Sequence, residues 1–99
     1  MWSGRFDRLP RASVLGHELP IATTRLTRLL GLALLDRGEA GQGLLIPRCR
    51  AVHTLGMRFP LDLIFLGPGG QVLELRRGVP PRRLARCAAA EAVVELPTR

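Results

Sequence analysis

The run Leu61–Leu66, LDLIFL, followed by Gly67-Pro68-Gly69-Gly70 and then QVLELRR, constrains this chain more than any other feature. Its apolar side chains fall on both faces of an extended segment, which predicts a central strand covered on either side. The glycine-rich turn and the alternation over residues 71–77 predict its antiparallel partner, so the local topology is a β-hairpin. A lone hairpin is only marginally stable in water, and the rest of the chain must therefore supply more strands and a core.

Further strands are predicted over residues 43–46, ended by Pro47, over 51–54, and over 92–96. Residues 12–19 have the weak pattern of one short strand closed by Pro20. A single helix is predicted between them. Thr23 or Thr24 caps it, and Leu26, Leu29, Leu30, Ala33 and Leu34 follow the three-four spacing of one buried face. Arg25, Arg28 and Arg37 lie off that face, Gly31 sits in the interior at about 1 kcal/mol relative to Ala, and Gly38 is the stop. Pro80-Pro81 removes backbone donors and predicts a loop over residues 79–86. The expected fold is α+β: a compact, mostly antiparallel sheet with one main N-terminal helix packed against it. At 99 residues, all of 1–99 reads as one domain.

Composition narrows the classes of function. Apolar residues make up 46% of the chain with few aromatics, so Leu, Val, Ile and Ala must build the core. Nothing resembles a signal peptide or a membrane span, which predicts a cytoplasmic protein without membrane contact and with Cys49 and Cys87 reduced. The net charge is +7 and every basic residue is arginine. That bias, with abundant Ala, Gly, Leu and Pro, fits a GC-rich genome as well as a binding surface. Arg76, Arg77, Arg82, Arg83 and Arg86 cluster around the two prolines, as a solvated basic loop or an attractor of anions. Without interleaved aromatics for stacking, nucleic acid recognition has little support.

Chemically versatile side chains concentrate between Cys49 and Asp62. Asp62 lies within the apolar strand and needs a partner, because an unpaired buried carboxylate is costly. Arg58, His53 and the backbone amides near Gly56 are the candidates. The plain reading is an ion pair or a loop-pinning hydrogen bond; the functional one makes Asp62 the orienting carboxylate of His53. His53 is a candidate base or anion-binding donor. Thr54 holds a turn through its hydroxyl, and Met57 lines the core or a pocket. Cys49 reads as a small buried hydrophobe, or as a nucleophile assisted by Arg48, Arg50 and His53. Cys49 and His53 lie roughly 13 Å apart in an extended strand, too far to share one ion, so no metal or other cofactor is expected.

The order of these motifs resembles the domain-of-unknown-function 192 family of small bacterial and archaeal proteins. The likeness rests on GLLIPRCRAVHTLGMRFPLDLIFLGPGGQVLELRRGVPP and the later RCAAAEAVVELP, with His53, Thr54, Met57, Arg58, Pro60 and Asp62 at its centre and Glu95-Leu96 in the closing strand. The resemblance implies a β-rich α+β domain described as barrel-like, and no established activity. This chain has Arg28 where the family's helix usually has Gly. It also stops at Arg99, where the family commonly continues into another strand. An open strand edge, available for self-association, is the expectation from that shorter end.

Three functions compete. The leading one is a non-enzymatic module that binds a small anionic or polar ligand through His53, Thr54, Met57, Arg58, Asp62 and Cys49. The alternatives are an enzyme using Cys49 or His53 with Asp62, and a basic domain that interacts with protein or nucleic acid.

Overall fold

The computed structural model describes residues 4–99. The predicted central strand is present as β5 (Leu61–Leu66), and β6 (Val72–Val79) returns beside it across the glycine turn. On its other side lies β8 (Ala92–Pro97), followed by β3 (Leu44–Pro47), and the order β3-β8-β5-β6 is antiparallel throughout. The pleat divides β5 cleanly. Leu61, Leu63 and Phe65 are wholly buried on one face, with Leu44, Ile46 and Val93 from neighbouring strands. Asp62 and Ile64 point to the opposite face and are only half-buried.

That opposite face is covered at one end by a second ribbon, β1 (Arg11–Val14) and β2 (His17–Pro20). Residues 12–19 are therefore a hairpin and not the single strand expected. Leu15 and Gly16 both take positive φ, 51° and 82°, as a two-residue reversal with the twist of its strands requires. Pro20 is the last residue of β2. Leu19, fully buried, packs with Leu66 and Val94, and Val14 joins them.

The helical segment departs most from expectation. Helix α1 (Arg25–Leu30) has only six residues, and α2 (Arg37–Ala40) four, so there is no single main helix. Thr24 is the N-cap: its hydroxyl accepts from the Thr27 amide at 3.1 Å, and the Thr27 hydroxyl accepts from the Thr24 amide at 3.2 Å. Gly31 then turns to φ 53° and Leu34 to φ 66°, which no continuing helix allows. The turn drives Leu32, Ala33 and Leu35 into the core while Leu26 and Leu29 stay exposed and Thr27 is buried. Arg5 straps this turn from outside, donating to the carbonyls of Gly31 and Ala33 at 2.9 and 2.8 Å. Arg28 fastens α1 to the end of β3 by donating to the carbonyls of Pro47 and Arg48. Gly38, the expected stop, sits within α2, and Gly41 ends it.

Residues 79–86 are not all loop. Strand β6 runs to Val79, and β7 (Leu84–Arg86) pairs with β4 (Ala51–His53), so the two prolines occupy only the connection. The β4–β7 ribbon seals the main core with Val52 and Ala85. The strands form three separate sheets among the described residues, and the barrel implied by the family resemblance is not closed. The sheet edges are β3 and β6, while the last strand, β8, is internal.

Candidate functional site

Asp62 owes its position to a β-bulge. Between Leu61↔Val79 and Leu63↔Arg76 the strand β6 carries one extra residue, and Gly78 adopts φ 63° there. A bulge leaves an amide without a ladder partner. The Asp62 carboxylate takes it: Oδ1 accepts from the Gly78 N–H at 2.9 Å and from the Thr98 hydroxyl at 2.7 Å. Neither Arg58 nor His53, the partners expected from sequence, supplies these contacts. The aspartate pins the bulge and the C-terminal tail together.

The other residues of the motif lie elsewhere. Arg58 forms an exposed ion pair with Asp36 at 2.9 Å. The ring of His53 donates from Nε2 to the Leu29 carbonyl at 3.1 Å, and its Nδ1 is buried without a hydrogen-bond partner. Thr54 is fully buried, with its hydroxyl donating to the Pro80 carbonyl and accepting from the Arg83 amide, both at 2.8 Å. Met57 is buried in the main core, as Phe59 is. The thiol of Cys49 donates to the Ala51 carbonyl at 3.2 Å, and Cys49 and Cys87 are both free, half-buried cysteines. Among the described residues no group of three or more His, Cys, Asp and Glu is placed to hold a metal ion.

What does converge is a different set. A cavity of about 820 Å³ opens over the outer face of the sheet. Ile64, Leu75 and Leu96 form an apolar floor beside Asp62, and β6 adds Arg77 from the same face. Leu15 and His17 come from the β1–β2 ribbon, Arg37 and Gln42 from α2 and the residues after it, and Thr98 and Arg99 from the tail. Arg37 is held in place: it donates to the Thr98 carbonyl and its guanidinium lies over the Phe59 ring at 5.2 Å. The side chains of His17 and Arg77 make no hydrogen bond or ion pair among the described residues. The site is thus basic at its walls and apolar at its base. The alternation Leu75, Arg77 on the returning strand was the sequence signal for Arg77. His17 carried none, because only the ribbon brings it over the sheet.

A second overlooked residue is Glu95, on β8. It is 3% exposed and faces the core between Leu44 and Leu63. Its Oε1 accepts from the Leu32 amide at 3.2 Å, across the turn that ends α1. Burial pushes its carboxyl up to about 7, against the opposing pull of that one hydrogen bond. A glutamate within AVVEL, at the two-residue alternation of Val93, was the available signal.

The architecture defines a class: a sheet-dominated α+β protein with two short helices and an open basic cavity on the outer sheet face. The sequence profile of the DUF192 family, described as uncharacterized ACR, matches residues 10–99, and the chain belongs to that family. A crystal structure of a protein of unknown function from Novosphingobium aromaticivorans is similar in fold, with a TM-score of 0.64 at 22% identity. The match covers 83% of this chain and 65% of that one, so this chain spans less than two thirds of its neighbour's length. Among curated proteins no sequence relative is found. No helix among the described residues is long and apolar enough to cross a membrane.

Proposed function

We propose that this protein is a non-enzymatic binding module for a small anionic ligand, and that the ligand sits in the cavity over Ile64, Leu75 and Leu96. The observation that carries the reading is the meeting of Arg37, Arg77, Arg99 and His17 around one apolar floor. Guanidinium groups bind carboxylate and phosphate in a fork, and an apolar base takes the carbon skeleton such anions carry. The cavity falls in the ordinary size range of small-molecule sites. Asp62 contributes as a wall, since its bonds to Gly78 and Thr98 hold the bulge and tail that frame the opening. Of the six residues first considered, it alone lines this cavity. A catalytic role for His53 has less support, because its Nε2 is engaged by a backbone carbonyl and its Nδ1 is buried.

Thermal unfolding in the presence of a panel of small carboxylates and phosphate monoesters tests the reading. A ligand at about a hundred times its Kd stabilises by roughly 3 kcal/mol, which moves Tm by about 4–8 °C for each kcal/mol in a domain of this size. The Arg77→Ala variant loses that shift, whereas Arg58→Ala keeps it. Loss of the shift in Arg58→Ala with retention in Arg77→Ala overturns the assignment to this cavity. A panel with no stabilising anion overturns the proposed function.

A further inference from the structure

A second surface, built on β4 and β7, shares no residue with the cavity. In this ribbon the pair Val52↔Ala85 is buried against the core, so the adjacent pair His53↔Leu84 lies on the outward face. Leu84 is 74% exposed. The His53 bond to the Leu29 carbonyl brings the end of α1 against this face, and Leu29 is 65% exposed. The Thr54 amide bonds the Arg83 carbonyl, and the next residue, Leu55, is 58% exposed. The Leu34 amide in turn bonds the Gly56 carbonyl, adding another exposed leucine. Single exposed leucines are ordinary, but these four lie on segments tied to one another by bonds at His53, Thr54 and Gly56, and exposed apolar residues concentrated in this way mark an interaction site.

Arginines dominate the surrounding segments. Arg25 lies four residues before Leu29 on α1 and shares its side of the helix. Arg82 and Arg83 precede Leu84, and Arg86 shares the outward face of β7 with it. All four are exposed, and none forms an ion pair among the described residues. Asp36, two residues beyond Leu34, is already paired with Arg58.

We infer that this leucine patch docks an acidic, aliphatic segment of a partner protein, with the leucines covered by its apolar side chains and the arginines meeting its carboxylates. Charge complementarity selects this occupant. A second copy related by a two-fold axis would set like arginine rims against each other. Nucleic acid would find phosphate partners but no aromatic surface for its bases.

Fluorescence anisotropy with a short labelled amphipathic peptide of glutamate and leucine tests the inference. Two control peptides carry serine in place of leucine and lysine in place of glutamate. The glutamate–leucine peptide saturates the protein and the controls do not. Leu84→Ser weakens its binding by about tenfold, and Leu29→Ser does the same; both variants keep the parent Tm because these side chains are exposed. Equal binding of the glutamate–serine peptide reduces the surface to bare charge and overturns the role of the leucines. Absence of saturable binding overturns the partner assignment. So does a concentration-dependent dimer that Leu84→Ser dissolves.

Discussion

The hydroxyl of Thr54 is engaged on both sides, donating to Pro80 and accepting from Arg83, while its own backbone bonds Arg82 and Arg83. One buried threonine thus closes the connection between β6 and β7 onto the end of β4. Replacing it with an isosteric valine removes both hydroxyl bonds, to the Pro80 carbonyl and from the Arg83 amide, at a part-buried place. Each such bond contributes about 0.5–1.5 kcal/mol. Thr54→Val is therefore expected to destabilise the protein by about 1–3 kcal/mol, measured by urea unfolding at an unchanged m-value. The sequence already placed Thr54 at a turn, since a hydroxyl beside a glycine-containing bend has few other uses. It did not identify the partners, which come from a segment nearly thirty residues away. Asp62 follows the same rule. Its need for a partner followed from its place in an apolar strand, but the bulge that supplies one exists only when β6 is laid beside β5.

Among the elements, the main hairpin and the strands around residues 43–46, 51–54 and 92–96 were legible, whereas the β1–β2 ribbon, β7 and the early end of the helix were not. Residues 61–66 and 71–77 carry their pairing in local pattern, because a glycine turn between two apolar runs has essentially one solution. The stretch after Thr24 carries an equally clear helical pattern, yet the chain leaves the helix at Gly31. Leucine spacing states only that one side must be buried, and a folded turn satisfies this as well as a helix does. The close approach of Gly31 to Glu95 marks where the turn wins: a Cβ at residue 31 would stand 2.4 Å from Glu95 Oε1. Gly31→Ala is expected to destabilise by about 2–3 kcal/mol through that clash and the positive φ. Shortening the opposing side chain removes the clash and leaves only the φ penalty of about 1 kcal/mol. A double-mutant cycle of Gly31→Ala with Glu95→Ala therefore shows a coupling above about 1 kcal/mol by urea unfolding, and strictly additive effects would contradict the contact.

At the scale of the whole molecule, Glu95 links stability to pH. Its folded value of about 7 lies above the ordinary 4.5. As pH rises past 4.5 the unfolded chain gives up this proton while the folded protein keeps it, so the contribution is complete below 4.5 and lost as pH rises through about 7. The size of that loss is about 3 kcal/mol. Glu95→Gln keeps an acceptor for the Leu32 amide and has no proton to lose. Urea unfolding at pH 5 and pH 8 is expected to show the stability of the parent falling relative to this variant by about that amount; parallel pH profiles would rule the linkage out. What the sequence determined by itself was the set of strands with strong alternation, the main hairpin, the family, and the need of Asp62 for a partner. These are decided by neighbours along the chain. Only the tertiary structure decided that Asp62 serves a bulge, that Arg58 and His53 bond other partners, and that Arg37, Arg77 and His17 share one cavity. Hydrogen bonds and cavity walls form between segments far apart in sequence, and local pattern carries no record of which segments will meet.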